Sequence, residues 1–442
     1  LYKDIDHFIN EFSINFPKRY LVFNLCGNDL ESIICYLSCL KKGCVSLLLS
    51  ENIKYNHLEY LINIYKPQYI FSNERNLKNY EIVSSYNNKK LYKFFKFENI
   101  KLNEKLSLLL TTSGTTGSPK LVKITNQNLI SNAKSICEYL KITKSDRSIT
   151  SLPFQYSYGL SVINSHLFVG GSIVLSKNSM IEKKFWSDVY DYEITNIAGV
   201  PYNYEIILKL GLKNLNIPSV RLMTQAGGKL SHDKISELND YFKLENIKFC
   251  IMYGQTEATA RISYLPLSET TKRVNCIGKA VPGGHMFLED KMGKIIKTKN
   301  VVGEIIYKGP NVSMGYANSK EDLITGDVNC GVLKTGDLGY FDEKDYFYLK
   351  GKSTRFIKVF GNRVSLDSLE SIIEKNGFRA IVVGKDDEIN IYLKRSIEFS
   401  KEKFFEMLSK ETTINIRSFN LILLKDFPRL ETGKIDYKKL FK

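Results

Sequence analysis

Leu106-Ser107-Leu108-Leu109-Leu110-Thr111-Thr112-Ser113-Gly114-Thr115-Thr116-Gly117-Ser118-Pro119-Lys120 joins an apolar run to a stretch offering a hydroxyl, a glycine or a cation at nearly every position. Glycines let backbone N–H groups come close to phosphate oxygens, and hydroxyls donate hydrogen bonds without bringing further charge. The composition is that of a polyphosphate loop. A Walker A loop needs Gly directly before the Lys and Ser or Thr directly after it; Pro119 and Leu121 hold those places, so that reading fails. A polar surface turn competes for any Ser/Thr/Gly run taken alone. The flanks weigh against it: Leu106 to Leu110 reads as a buried strand and Asn126 to Tyr139 as a helix, a strand, loop and helix unit of the kind at which α/β folds bind anions.

Outward from this stretch the alternation continues. Before it come strand (Leu21 to Leu25), helix (Leu30 to Lys41), strand (Val45 to Leu49), helix (Asn56 to Ile64) and strand (Tyr69 to Phe71), which predicts βαβ units and a parallel sheet. After it, apolar strands are predicted at Ser148 to Leu152, Ser172 to Leu175, Ile194 to Ile197, Leu222 to Gln225 and Phe249 to Tyr253. The Lys/Asn-rich stretch Asn76 to Lys105 reads as exposed and partly loop. From Cys276 to Lys350 the runs are shorter and richer in Gly and β-branched residues, and from Gly351 helices alternate with strands again. The expected fold is therefore α/β. A large N-terminal domain of layered α/β sheets with a small β-subdomain (1–351) precedes a small α+β C-terminal lid domain (352–442).

The formal net charge of +16 raises a nucleic-acid surface as a hypothesis, but the lysines are scattered among Asn, Ile and Tyr with no arginine-rich block. Compositional bias explains them better, and a basic field also suits ATP, an anionic acid, CoA or an acidic carrier protein. The eight cysteines include no CxxC pair and no histidine at ligand spacing, so neither zinc nor a disulfide framework is indicated. No apolar segment reaches the roughly 18 residues of a membrane span, and the first residues do not read as a signal peptide; a soluble, cytoplasmic protein is expected.

Chemistry-bearing residues cluster at strand ends. Tyr253-Gly254-Gln255-Thr256-Glu257 ends an apolar strand, where an open parallel sheet binds its ligand. An aromatic ring there can stack on adenine, a hydroxyl can donate to a phosphate, and a carboxylate can hold Mg²⁺. Alone, the same five residues would be an ordinary strand end. Gln225-Ala226-Gly227-Gly228-Lys229-Leu230 has small residues that permit close approach, or that simply turn a strand into a helix. Asp337 in Thr335-Gly336-Asp337 can accept both hydroxyls of a ribose, although such a triplet is also a common turn.

Taken together, residues 111–120 and 253–257 resemble the phosphate-binding and adenine/magnesium motifs of the adenylate-forming (AMP-binding) superfamily, which includes acyl-CoA synthetases, luciferases and the adenylation domains of nonribosomal peptide synthetases. The resemblance covers nearly the whole chain, with separated motifs in the family order. It implies that Thr112, Ser113, Gly114, Thr115, Thr116, Gly117 and Lys120 cradle phosphates, that Gly227 and Gly228 lie along the adenine and that Tyr253, Gly254 and Gln255 contact it. Thr256 would meet the α-phosphate, Glu257 the magnesium ion and Asp337 the ribose. Gly303-Glu304-Ile305 with Gly309, Gly315 and Tyr316 is similar to a family element for which a structural role is expected. Lys352, a nucleotide-binding residue by this resemblance, stands where the family usually has Arg; it can still meet a ribose or phosphate oxygen as a point charge but without the bidentate fork. Thr354 stands where the family has Asp or Lys, so the hinge lacks its usual ionic partner. Pro428-Arg429-Leu430-Glu431-Thr432-Gly433-Lys434-Ile435-Asp436 matches the terminal lysine loop, making Lys434 the catalytic cation between carboxylate and α-phosphate.

The implied reaction joins ATP and a carboxylic acid into an acyl adenylate, then transfers the acyl group to the thiol of CoA or of a carrier protein's phosphopantetheine arm. Tyr156 holds the place of the pocket residue that is often His in acyl-CoA ligases and Asp in amino-acid-activating domains, and Gly199 with Val200 would form the opposite wall. Without that Asp, an α-ammonium has no counter-charge at this position. Two other readings compete: a catalytically silent nucleotide-binding homologue, and a basic nucleic-acid-binding protein. ATP binding without adenylate would mark the first, salt-sensitive DNA or RNA affinity the second.

Overall fold

The computed structural model describes residues 1–11, 19–96, 100–111, 120–270, 272–273, 275–352, 355–359, 362–385, 387–394, 400–412 and 414–440. The chain divides into two compact units, one of Leu1–Val274, Ala280–His285 and Lys308–Leu333, the other of Asn275–Lys279, Met286–Tyr307 and Lys334–Lys442.

The first unit carries an eight-stranded sheet in the order Tyr316–Ala317, Leu121–Thr125, Leu106–Thr111, Val45–Ser50, Leu21–Cys26, Tyr69–Ser72, Lys89–Phe94, Tyr80–Tyr86. Its centre is parallel: Leu21–Cys26 pairs in parallel with both Val45–Ser50 and Tyr69–Ser72, and Val45–Ser50 with Leu106–Thr111. Leu21–Cys26 is buried at every position, which is why it reads as a continuous apolar run rather than an alternation. The helix Leu30–Lys42 that crosses between parallel strands begins at Asp29, whose side chain accepts from the Ser32 amide, and stops at Gly43, whose φ of 71° suits glycine.

Two sequence expectations change here. Leu121–Thr125 is a strand antiparallel to Leu106–Thr111, so the polar stretch joins the strands of a hairpin rather than a strand to a helix. The helix, Asn126–Leu140, starts directly after that second strand on a Thr125–Asn128 capping box. A lysine hid the strand from a hydropathy reading. Lys123 is fully buried, its ammonium held by the carbonyls of Asp322, Thr325 and Gly326 and by the Thr325 hydroxyl. Likewise the Lys/Asn-rich stretch expected as partly loop contains the antiparallel pair Tyr80–Tyr86 and Lys89–Phe94. Lys89 is buried there by an ion pair to Asp29 at 3.1 Å and hydrogen bonds to the Leu25 carbonyl and Ser32 hydroxyl.

The same unit holds a second run of strands ordered Ser263–Leu265, Lys248–Tyr253, Leu222–Gln225, Asn196–Gly199, Arg147–Ile149, Ser172–Val174. All pair in parallel except Ser263–Leu265, which is antiparallel to Lys248–Tyr253. A core of Ile149, Phe185, Ile197, Tyr204, Met223, Leu238 and Phe249 fixes their helices on one face.

The second unit has strands ordered Ile295–Ile296, His285–Glu289, Gly303–Lys308, Val332–Phe341, Phe347–Lys352, the β-rich part expected from sequence. It also has the sheet Ala380–Lys385, Glu388–Lys394, Phe419–Leu424 with helices Leu366–Lys375 and Lys401–Thr412. Residues 357–419 share one apolar core around Ile373, Val382, Ile391, Leu408 and Phe419. The molecule is thus the layered α/β fold the sequence predicts. Among the described residues no helix is long and apolar enough to cross a membrane.

Candidate active site

Parallel strands put their carboxyl ends on one edge, and the first unit's expected site residues follow those ends. Gly199 closes Asn196–Gly199 and is followed by Val200 and the helix Pro201–Leu210; Gly227 and Gly228 follow Leu222–Gln225; Tyr253 closes Lys248–Tyr253 and Gly254 to Glu257 come next. Tyr156 immediately precedes the helix Ser157–Phe168. Positions as far apart in sequence as Tyr156 and Glu257 are brought to one edge by topology alone.

Close contacts tie them together. A Cβ on Gly199 would stand 2.9 Å from the Tyr204 ring, and one on Gly228 would stand 3.1 Å from Pro201. The Gln225 side-chain amide donates to the Gly228 carbonyl at 2.9 Å, holding that turn. Tyr158 and Tyr204 both donate to the Thr224 carbonyl, at 2.9 and 2.7 Å.

The segment after Tyr253 is bent sharply. A Cβ on Gly254 would lie 1.7 Å from the Ala260 carbonyl oxygen, so only glycine fits. Thr256–Ala258 forms one 3₁₀ turn, and Thr259 and Ala260 then take φ of 53° and 111°, left-handed values that cost L-residues energy. The turn is pinned by Asn311, whose amide donates to the Ala258 and Arg261 carbonyls at 2.7 Å each. Its hydroxyl face meets the helix: Ser157 and Thr256 hydroxyls are 3.1 Å apart. Gln255 donates to the Tyr253 hydroxyl at 3.2 Å.

Glu257 accepts a hydrogen bond from the Tyr316 hydroxyl at 2.7 Å, and the Lys120 ammonium sits 5.3 Å from the Tyr316 ring centroid. Burial, reinforced by the Glu257 charge, pushes the Tyr316 hydroxyl's pKa well up, so it stays a donor. Tyr316 thus stands between Glu257, the expected metal ligand, and Lys120, the expected phosphate lysine. Glu257 uses one carboxylate oxygen in this bond. A carboxylate with an oxygen to spare suits Mg²⁺, which takes one or two carboxylates and completes its shell with phosphate oxygens and water. Thr112 to Gly117 lie outside the described residues, as does Thr354.

The second unit carries the remaining candidates. Asp337 lies in the middle of the strand Val332–Phe341, not in a turn, and is buried. Gly336 allows this with a φ of 70°. The Thr335 hydroxyl donates to the Ile305 carbonyl at 2.7 Å, and the Gly336 amide donates to Glu304 at 3.0 Å, so Gly303-Glu304-Ile305 supports the triplet from the next strand. Lys352 pairs across the hairpin with Asp337, its ammonium 3.0 Å from the carboxylate. Lys434 follows Gly433, whose φ is 76°, in a tight turn closed by the Gly433 amide to the Leu430 carbonyl at 2.9 Å. That turn is set by the Arg429–Ile435 bridge and by Arg429, which donates to the Gly433 carbonyl at 2.8 Å.

The sequence alone gives Arg355 no role. Its guanidinium is bound by Asp367 and Glu370 and lies 5.1 Å from the Tyr437 ring, joining the start of the C-terminal segment to the turn region of Lys434. Burial opposes its charge, but the hydrogen bond to Glu370 and the nearby carboxylates outweigh it and raise its pKa further. Nor did sequence find Ser157 or Arg261, whose neighbours are remote in the chain.

Comparison with known proteins identifies the family and the fold. The AMP-binding enzyme family model matches residues 16–317. The oxalate–CoA ligase of Arabidopsis thaliana is 32% identical over 272 residues, 60% of this chain and 52% of that one, so the match spans about half of that relative. The oxalate–CoA ligase of Saccharomyces cerevisiae is 26% identical over 438 residues, 93% of this chain and 78% of that one. In fold, the chain superimposes on the O-succinylbenzoate coenzyme A synthetase MenE of Bacillus subtilis in complex with AMP with a TM-score of 0.79, at 20% identity, covering 100% of this chain and 92% of that one. With the family model spanning most of its length, this chain belongs to the AMP-binding enzyme family.

Proposed function

We propose that the protein activates a carboxylic acid with ATP, releasing pyrophosphate, and then passes the acyl group to the thiol of CoA. The observation that carries this is the edge of the first unit, where Thr256, Glu257, Tyr316 and Lys120 form one connected polar path after the strand Lys248–Tyr253. A carboxylate is a poor electrophile; joined to AMP it becomes a mixed anhydride with a good leaving group. The Thr256 hydroxyl, beside Ser157, donates to the α-phosphate. Glu257, held by Tyr316, would be the carboxylate ligand of a magnesium ion, which would supply neutralisation of the phosphate oxygens. Lys120 and the hydroxyl-rich stretch before it take the β- and γ-phosphates, and Tyr253 with Gly227 and Gly228 takes the adenine. Asp337 accepts the ribose hydroxyls, with Lys352 neutralising it until then. Lys434 stabilises the charge that builds as the carboxylate attacks phosphorus.

Residues 352–442 act in this scheme as the moving domain, first presenting Lys434 and then admitting the thiol. An apolar core shared by residues 357–419 supports this reading. Tyr156, Gly199 and Val200 line the acid's side.

The test is product analysis with ATP, Mg²⁺, an acid panel and either CoA or a phosphopantetheinylated carrier protein. AMP with acyl-CoA is expected. AMP with acylated carrier alone would move the acceptor to the carrier. ATP bound with no AMP from any acid would leave the silent homologue.

A further inference from the structure

The position that turns the chain back from Glu257 holds an uncompensated cation. Arg261 is 2% exposed. Its guanidinium carbon lies 4.2 Å from the Tyr158 ring centroid, and its charge acts on the buried Tyr139 hydroxyl, which donates to Met252 Sδ at 3.0 Å. The Arg261 Nε is buried with no hydrogen-bond partner, and no carboxylate pairs with this guanidinium among the described residues. Every other buried cation described above has carbonyls or carboxylates around it: Lys123, Lys89 and Arg355. An arginine buried among tyrosines alone is costly, since a guanidinium out of water needs a counter-charge and a ring face offsets only part of that cost.

The surroundings show where a counter-charge would come from. Tyr156 and Tyr158 have ring centroids 6.3 Å apart at the start of the helix Ser157–Phe168. Burial pushes the Tyr156 hydroxyl up to about 12, opposed by the Arg261 charge. Tyr139, Tyr156, Tyr158, Val200 and Ala226 share one cluster, which contains the wall expected for the acid. Ser157, next to Tyr158, meets the Thr256 hydroxyl, so the acid's reacting end and Arg261 are served by the same helix start. The Tyr158 and Tyr139 hydroxyls already donate to the Thr224 carbonyl and to Met252 Sδ; the guanidinium itself, buried with an unpartnered Nε and no acid side chain on it, is the group left to meet a ligand anion.

We infer that Arg261 is the specificity residue of the acid pocket and that the preferred acid carries a second carboxylate, remote from the one that is activated. This rests on the adenylation reading above. It also disfavours an α-amino acid, whose ammonium would face the arginine.

A pocket built around an unpaired cation should reject a substrate that leaves it unpaired. The test is ATP–pyrophosphate exchange by the full chain with Mg²⁺ on pairs matched in carbon number: malonate with propionate, succinate with butyrate, glutarate with valerate. For at least one pair the diacid is expected to exceed the monoacid in kcat/KM by about 10² or more. Arg261→Gln is expected to shift that ratio toward the monoacid by about 10², and Arg261→Lys to shift it less. Monoacids used as well as diacids by the unmodified protein would overturn the inference while leaving adenylation intact, and so would an Arg261→Gln variant that lowers both equally. If Arg261→Gln does not fold, the ratio in the unmodified protein decides alone. Exchange with no acid would sink the adenylation reading and this one with it.

Discussion

Glu257 shows how one residue's role is set by partners the sequence hides. Its neighbours Tyr253 to Thr256 are contiguous and legible as a motif, but the hydroxyl that holds it belongs to Tyr316, 59 positions away, and the Ser157 hydroxyl beside Thr256 is 99 positions away. Contiguity makes a motif readable; a contact that depends on topology leaves no local trace. Tyr316→Phe should free Glu257 and lower adenylate formation about tenfold, the worth of one charge-assisted hydrogen bond, while raising the Mg²⁺ concentration for half-maximal rate. A variant with unaltered magnesium dependence would deny Tyr316 that role. Gly254→Ala is a steric test. The intruding methyl meets a backbone carbonyl that cannot rotate away, so a loss of about 3 kcal/mol in urea unfolding is expected, at the upper end for overpacking. A loss below about 1 kcal/mol would contradict so close an approach.

At the scale of elements, the alternation of strands and helices was legible wherever strands are buried on both faces, because their apolar runs are short and bounded by turns. It failed where a lysine is buried. Lys123 and Lys89 each look like surface residues in the sequence, yet carbonyls and Asp29 satisfy them inside the sheet, and the strands that hold them were missed for that reason. Asp337 was found as a ligand candidate, but its placement in a strand needed Gly336 at positive φ and the support of Glu304. A different pair secures the start of the second strand run. Burial alone would raise the Asp146 carboxyl, but Arg221, the Thr143 amide and Thr195 outweigh it and hold it below its ordinary range. A carboxylate depressed in the folded state stabilises above its unfolded pKa, near 3.8, and loses that contribution as pH falls through the folded value. Asp146→Asn should therefore cost about 2 kcal/mol at pH 7 and flatten the fall in stability below about pH 4, measured by urea unfolding across pH. An acid limb as steep as in the unmodified protein would contradict the assignment.

For the molecule as a whole, membership of the AMP-binding enzyme family follows from motifs spread over most of the chain, and the fold of both units agrees with it. The proposed preference for a second carboxylate was not legible, because Arg261 stands in no readable pattern. Lys434 is the distant end of the scheme. Its replacement by Ala should reduce adenylate formation by about 10² to 10³, comparable to losing one oxyanion donor. Adenylate formed at the unmodified rate would remove Lys434 from the chemistry. The most direct measurement is acid-dependent exchange of labelled pyrophosphate into ATP over aliphatic, aryl, hydroxy, amino and dicarboxylic acids. Exchange is expected only when a suitable acid is present and is expected to fall steeply in Glu257→Gln. A folded protein that binds ATP yet exchanges with no acid would contradict acid activation outright.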